Sequence, residues 1–139
     1  ASVRCYPAML EERGRPAEAV QAFIAEDFVQ HSPQISPGKE MFAKYLTDRN
    51  FARTAEGRKS QTARMIADGD LVLIHRRVTT KADPRGVAYA DLYRVREGKI
   101  VEYWDVIQPI PSFSVAGHSM VDGPLEPGRK VAGPPETAT

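Results

Sequence analysis

Two aspartates in the second half of the chain, Asp91 and Asp105, have the type and spacing for acid–base chemistry. They flank the segment 96–98 (Arg-Glu-Gly), which predicts a three-residue hairpin turn with its glycine in the left-handed conformation and a bulge. In that register Asp91 faces Tyr103, and both aspartates lie on one face of the hairpin, about 6–8 Å apart. A two-residue turn would put them on opposite faces, so the pairing of the two carboxylates depends on the bulge.

Two carboxylates in one partly buried site can divide the work of proton transfer. Burial and a neighbouring negative charge both raise the pKa of a carboxyl group. One aspartate can then be a general base while the other stays protonated and donates a hydrogen bond to a developing enolate. The alternative is a solvated face that carries only surface ion pairs. Besides the catalytic candidates, the candidate substrate contacts are Tyr89, Tyr103, His75, Trp104, Ile107 and Gln108.

Two histidines are further candidates for a site. His31 follows a predicted helix, in a break that can direct its ring into a cavity beneath the sheet, and imidazoles titrate near neutral pH. The alternative is a loop histidine bonded to a backbone carbonyl. His75 lies in a predicted strand with the parity of Leu71 and Leu73, which predicts partial burial and is also compatible with a structural role.

The elements that must position these residues begin with three predicted helices. Residues 3–13 carry apolar side chains at helical spacing and stop before Gly14. Pro16 then opens a second helix over residues 17–28, and Ser36 is the N-cap of a third.

After Gly57 the apolar period changes from helical to alternating, which predicts strands. The four predicted strands are residues 62–67, 71–80, 87–95 and 99–107. Helices followed by a meander of antiparallel strands predict an α+β domain rather than a βαβ unit. Residues 1–111 are expected to form one pocket domain. Residues 112–139, rich in Pro and Gly, are expected to form a C-terminal extension whose distal part is disordered.

The composition excludes several classes of partner. The chain is 42% hydrophobic and 27% charged with a net charge of +1, and no basic stripe indicates nucleic acid or an anionic membrane. Its apolar runs are too short to span a bilayer. The single cysteine, Cys5, and the lack of a Cys/His cluster favour a cytoplasmic protein without a disulfide, metal or cofactor. Because the chain begins inside a predicted helix and without Met, some N-terminal residues are expected to be missing.

Three segments resemble the SnoaL-like proteins of the nuclear-transport-factor-2-like superfamily, which includes ketosteroid isomerases and scytalone dehydratases. They are residues 28–33 (FVQHSP), 68–75 (DGDLVLIH) and above all 91–111 (DLYRVREGKIVEYWDVIQPIP). The last segment is typical of the subgroup described as SnoaL-like aldol-condensation proteins. The resemblance covers the chain to about residue 120. It implies a cone in which helices pack on a curved antiparallel sheet around a ligand pocket, and it implies a homodimer.

The resemblance also implies roles for individual residues. Asp105 lies where polyketide cyclases carry an acid/base aspartate, and Asp91 lies where ketosteroid isomerases have a protonated aspartate in the oxyanion hole. His31 lies where those isomerases have their aspartate base. The isomerase pattern is incomplete, because its base is replaced by histidine and its oxyanion tyrosine has no obvious counterpart except Tyr6.

The leading functional hypothesis is a cofactor-independent lyase or isomerase that acts through an enolate on a small or cyclic carbonyl compound. Its reaction would be aldol cyclisation, dehydration or double-bond migration. One alternative is a binding module that holds a small molecule without chemistry. Another is a hydrolase resembling limonene-epoxide hydrolase, which would need an arginine between its acids, either Arg77 or Arg94.

Overall fold

The computed structural model describes residues 16–123, which form a mixed α+β domain on one five-stranded sheet. The elements in chain order are α1 (Pro16–Phe23), β1 (Ile24–Gln30), α2 (Lys39–Glu56), β2 (Lys59–Asp68), β3 (Leu71–Thr79), β4 (Val87–Arg96) and β5 (Lys99–Pro109). The strand order is β1-β5-β4-β3-β2. Strands β2 to β5 are an antiparallel meander, as their alternating sequence predicts, and β1 lies at the edge, parallel to β5.

The prediction of three N-terminal helices is not borne out. The described residues contain two helices, and the helix predicted for residues 3–13 lies outside them. The second predicted helix, residues 17–28, ends at Phe23 and continues as β1. Ile24 and Phe28 have helical spacing, but both are also buried in an irregular edge strand whose partner, β5, is distant in the sequence. Local periodicity cannot distinguish these two outcomes.

The hydrophobic core lies between the helices and one face of the sheet, here called the inner face. Burial of apolar side chains on this face is the main stabilising contribution to the fold. On β3, alternate residues from Val72 to Val78 are buried, as expected for the inner positions of a strand. The buried core cluster consists of Val20, Ile24, Phe28, Ile35, Phe42, Val72, Ile74, Tyr93, Val95, Ile100 and Tyr103.

The turn between β4 and β5 differs from the predicted one and yet preserves the predicted face. Glu97 and Gly98 both have positive φ, 51° and 76°, which makes a two-residue turn of the type I′ class. An irregularity further along the hairpin leaves Val101 as an extra residue on β5. The two-residue turn alone would put Asp91 and Asp105 on opposite faces of the hairpin. The extra residue at the bulge returns both side chains to the same face. Asp91 therefore pairs with Asp105, and not with Tyr103 as predicted.

The segment after β5 folds back against the opposite face of the sheet, here called the outer face. Arg64 of β2 donates to the carbonyl oxygens of Val121 and Gly123, both at 2.9 Å. Arg77 of β3 donates to the Asp122 carboxylate at 2.8 Å. The predicted disorder of the distal extension concerns residues that lie outside the described range. Neither helix in residues 16–123 is long and apolar enough to cross a lipid bilayer.

Candidate active site

Asp91 and Asp105 meet on the inner face and are bridged by one tyrosine hydroxyl. The Tyr103 Oη lies 2.7 Å from Asp91 Oδ1 and 3.1 Å from Asp105 Oδ2. Asp91 is 1% exposed, whereas Asp105 is half-buried. The two carboxylates thus share a hydrogen-bond partner but differ in their access to a substrate.

Asp91 is also paired with a buried arginine. Arg76 of β3, 3% exposed, donates from Nε to Asp91 Oδ2 at 2.6 Å. The guanidinium contacts Ser60 Oγ at 3.2 Å and lies 4.3 Å from the centre of the Tyr89 ring. A buried charge requires a partner of opposite sign. Arg76 and Asp91 therefore form an ion pair, and removing either partner would lower the free energy of unfolding.

This ion pair sets the hydrogen bonding of Asp91, the residue predicted to be a donor in an oxyanion hole. Both of its oxygens accept hydrogen bonds, one from Arg76 and one from Tyr103. Both oxygens of Asp91 are thus already engaged with donors of the protein. Asp91 is therefore suited to fixing the charge and hydrogen-bond direction of the site and not to the donor role of an oxyanion hole.

Tyr103 remains protonated in this environment. Burial raises the pKa of its hydroxyl far above the ordinary value, and Tyr93 and the two carboxylates raise it further. A phenol has one proton to share between two acceptors. When Asp105 takes up a proton, it can donate to the Tyr103 oxygen while Tyr103 donates to Asp91. The three side chains therefore form a chain that can absorb one proton at the Asp105 end.

The other predicted substrate contacts divide between the two faces. Tyr89 and Ile107 pair across the hairpin on the inner face, next to the aspartates. The strand register puts His75, Trp104 and Gln108 on the outer face, and Gln108 is exposed. A strand alternates its side chains between faces, so these three cannot contact a substrate held against Asp105.

His31 is not directed into a cavity beneath the sheet. Its ring is exposed and stacks on Trp104, with ring centres 5.0 Å apart and planes 2° apart. Its Nε2 lies 2.7 Å from Glu102 Oε2, and this hydrogen bond, followed by one from Arg94, lowers the pKa of Glu102 below its ordinary value. Arg94 also contacts both oxygens of Asp70 at 3.0 Å. His31 thus belongs to an outer-face network that is separate from the aspartates.

His75 lies beneath the C-terminal segment. Its Nδ1 is in hydrogen-bond contact with Nη1 of Arg64, the residue that anchors Val121 and Gly123. Burial lowers the pKa of His75 below its ordinary value, and the charge of Arg64 lowers it further. Partial burial of His75 is as predicted, and its contacts give it a structural role.

Arg76 is the site residue that sequence reasoning missed. The sequence contains a usable signal, because Arg76 has the strand parity of Val72, Ile74 and Val78, and a charged residue among inward apolar positions needs a buried partner. Arg77 and Arg94, the two arginines considered for a hydrolase, both lie on the outer face.

Two described cavities lie against the outer face. One, of about 300 Å³, lies between the loop at Pro84–Arg85 and the segment from Ile110 to Met120, and one of about 430 Å³ lies beside Gln61 and Asp122. Neither is lined by Asp91 or Asp105. Within residues 16–123 no group of three or more His, Cys, Asp or Glu side chains could hold a metal ion.

Residues 3–103 match the family model described as the SnoaL-like domain. The chain belongs to the SnoaL-like domain family. A search of curated proteins gives no match. The family assignment confirms the resemblance seen in the sequence.

Solved structures support the fold of this SnoaL-like chain. A nuclear-transport-factor-2-like protein of unknown function from Cytophaga hutchinsonii is 15% identical, with a TM-score of 0.59 over 78% of this chain and 91% of that one. IdmH, a proposed polyketide cyclase from Streptomyces antibioticus, is 19% identical, with a TM-score of 0.59 over 78% and 93%. An LEH-like epoxide hydrolase from M. tuberculosis is 19% identical, with a TM-score of 0.55 over 76% and 82%. The fold is therefore nuclear-transport-factor-2-like.

Proposed function

We propose that this protein is a cofactor-independent lyase or isomerase in which Asp105 is the general base, acting on a small or cyclic carbonyl compound through an enolate. The observation that carries the proposal is the unequal pair of carboxylates joined by Tyr103. Asp91 is buried and neutralised by Arg76, while Asp105 is half-buried and, among the described residues, accepts a hydrogen bond only from Tyr103. Such inequality assigns different tasks to two identical functional groups.

The proposed step begins with a ketone or related carbonyl compound whose α-carbon faces Asp105. The α C–H bond breaks, the proton moves to the carboxylate of Asp105, and the electron pair moves to the carbonyl oxygen. The protonated Asp105 then donates to Tyr103, which donates to Asp91. Return of the proton to another carbon atom gives double-bond migration. Its transfer to a β-hydroxyl group, which leaves as water while the enolate re-forms the carbonyl group and a C=C bond, gives dehydration.

The pairing of Arg76 with Asp91 is compatible with this step. A guanidinium in a dry environment acts more strongly on nearby charge than it would in water. Because Asp91 cancels most of that charge, the proton acquired by Asp105 is not strongly repelled. The developing enolate oxygen needs a hydrogen-bond donor, and because both oxygens of Asp91 already accept hydrogen bonds, we expect another residue to supply it.

Exchange of α-protons tests the base directly and requires no knowledge of the natural reaction. A panel of cyclic ketones and β-hydroxy ketones is incubated in D₂O, and the loss of α-proton signals is followed by NMR. We expect the wild-type protein to accelerate exchange for at least one compound and Asp105→Asn to lower that rate by about 10²- to 10⁴-fold. Asp27→Asn, at an exposed aspartate of β1, is the matched control and should leave the rate unchanged. Equal rates for the wild type and Asp105→Asn would refute the role of Asp105.

A second candidate function is epoxide hydrolysis, and one observation favours it. Arg76 of β3 is buried against Asp91 of β4, which pairs with Asp105 of β5, and so provides an arginine on the same face as the two acids where Arg77 and Arg94 do not. In this reaction Asp105 would remove a proton from water as the new C–O bond forms and the ring C–O bond breaks, and the alkoxide would take up a proton from solvent to give a diol. Diol formation from a cyclic epoxide, abolished by Asp105→Asn and without α-proton exchange of ketones, would favour the hydrolase.

Binding without chemistry is the remaining outcome. Saturable binding of a ketone with neither exchange nor hydrolysis would identify a small-molecule binding module. A homodimer and a cytoplasmic location remain predictions, and sedimentation analysis would test the first.

A further inference from the structure

Two buried polar atoms at the end of β1 have no partner among the described residues. They are the Oε1 atom of Gln30 and the hydroxyl of Ser32, and Ser32 is 4% exposed. The amide nitrogen of Gln30 is occupied, because it donates to the carbonyl oxygen of Ile35. Buried polar groups are nearly always hydrogen-bonded, so two neighbouring exceptions in one segment indicate a bound partner such as a ligand or water.

The strand register puts Gln30 opposite Tyr103, the residue that hydrogen-bonds to the proposed base, and Ser32 follows two residues later. Gln30 pairs with Tyr103 in the parallel ladder, and the next amide, of His31, donates to the Tyr103 carbonyl oxygen at 2.8 Å. This hydrogen bond completes the Gln30–Tyr103 pair, and the stacking of His31 on Trp104 puts His31 on the outer face.

Alternation then assigns Ser32 to the inner face at the level of Asp105. The burial of the segment agrees, because His31 is exposed while its neighbours Gln30 and Ser32 are half-buried and buried. Pro33 follows Ser32, and a residue before proline favours an extended backbone, which keeps the alternation of the strand.

We infer that Gln30 and Ser32 form a polar subsite next to Asp105, and that the subsite binds a carbonyl compound carrying a hydroxyl group. This inference rests on the proposed function. The Ser32 hydroxyl donates to the carbonyl oxygen and becomes the hydrogen-bond donor to the enolate that Asp91 cannot be. The Gln30 oxygen can only accept, so it selects a ligand with an O–H group.

The class of substrate follows from these two tasks. A β-hydroxy ketone presents a carbonyl oxygen to Ser32 and a hydroxyl group to Gln30, with the carbon between them bearing the proton that Asp105 would remove. A ketone without the hydroxyl leaves the Gln30 oxygen buried and unsatisfied. Sites built to bind a hydroxyl group discriminate strongly against analogues that lack one.

A matched pair of ligands, 3-hydroxycyclohexanone and cyclohexanone, tests the subsite by binding alone. Dissociation constants are measured by NMR titration of the wild type and of Gln30→Leu, Ser32→Ala and the control Ser36→Ala, at an exposed serine. We expect the wild type to bind the hydroxy ketone about 3- to 10-fold more tightly, as one net hydrogen bond would give. Gln30→Leu should abolish this preference. Ser32→Ala should weaken the binding of both ketones and keep the preference for the hydroxy ketone. Ser36→Ala should leave both dissociation constants unchanged.

The ratio of the two dissociation constants is measured on the same variant. A partial loss of folded protein changes both apparent constants equally and leaves their ratio unchanged. Asp105→Asn is measured as well and should keep the preference, which separates the subsite from the catalytic proposal. If Asp105→Asn exchanges α-protons as fast as the wild type while the preference persists, the base assignment fails and the subsite stands. An equal affinity of the wild type for both ketones, an unchanged preference in Gln30→Leu, or no saturable binding of either ketone would overturn the subsite.

Discussion

Two regions of this domain contain a strand arginine paired with a carboxylate, Arg76 with Asp91 of β4 and Arg94 with Asp70 of the turn before β3, and the two pairs differ in their exposure to water. On the inner face, Arg76 and Asp91 are 3% and 1% exposed. On the outer face, Arg94 and Asp70 are 30% and 43% exposed. A surface pair gains little because water already solvates both charges, whereas a buried pair is held together because neither charge tolerates isolation. The comparison shows that environment, and not residue type, makes the inner cluster the candidate site.

The largest expected effect comes from breaking the inner pair at one end. Arg76→Met leaves the Asp91 carboxylate buried without its cation, and we expect the free energy of unfolding to fall by about 3–5 kcal/mol. Urea denaturation at neutral pH measures it. Arg76→Met combined with Asp91→Leu removes both charges and should recover most of the loss.

The outer pair provides the control for this prediction. Arg94→Met should cause a much smaller change, which added salt should reduce further because the pair is solvated. If Arg76→Met and Arg94→Met destabilise the protein equally, the distinction between the two regions is wrong.

A smaller effect is expected from the hydroxyl that joins the two aspartates. Tyr103→Phe removes the donor to Asp91 and to Asp105 while keeping the ring that packs against Phe42 and Tyr93. Hydrogen bonds to charged groups contribute about 1.5–3 kcal/mol, and we expect a loss of stability in that range. The α-proton exchange rate should fall as well, since the proton on Asp105 loses its acceptor. A variant as stable and as active as the wild type would show that the hydroxyl does not couple the aspartates.

The smallest effect concerns the pH dependence of the outer network. The hydrogen bond from His31 is the main cause of the lowered pKa of Glu102. A carboxyl group with a lowered pKa stabilises the fold above its ordinary pKa, and this contribution is lost as the pH falls through the lowered value.

His31→Ala should therefore raise the pKa of Glu102 towards its ordinary value, as measured by NMR titration of the carboxyl carbon. Lys44→Ala, which breaks the distant pair with Asp48 on α2, should leave the pKa of Glu102 unchanged. No rise in His31→Ala would mean that Arg94 alone holds the carboxylate.

The part of the fold that the sequence predicts is the part with local pairing. The four strands from β2 to β5 and their hairpins follow from alternation and turn residues, because each strand pairs with its neighbour in the chain. The strand β1 was predicted as helix because Ile24 and Phe28 satisfy both periods and only the distant pairing with β5 decides between them. Pairing with a strand that is distant in the sequence cannot be detected from the periodicity of a short segment.

The site was predicted in the same uneven way. The shared face of Asp91 and Asp105 is correct although the predicted turn is wrong, because the bulge at Val101 compensates for the shorter turn. The participation of His31 was expected from its place in the sequence. Because His31 follows Gln30 by one residue, its side chain points to the other face of the sheet, and its ring stacks on Trp104 on the outer face. The side chain that holds Asp91, Arg76, becomes evident only when strand parity is applied to charged residues as strictly as to apolar ones.

The parallel pairing of β1 with β5 has a consequence for how the protein folds. The hairpins of β2 to β5 can form from neighbouring segments, but β1 must close a loop of about seventy residues to reach Ile100 and Tyr103. We expect β1 to dock late, since long loops are closed after local ones. Gln30 and Ser32 dock together with β1. A partly folded chain would therefore already hold the two aspartates together but would lack the proposed polar subsite next to them. Completion of the fold and completion of the ligand site would then be the same event.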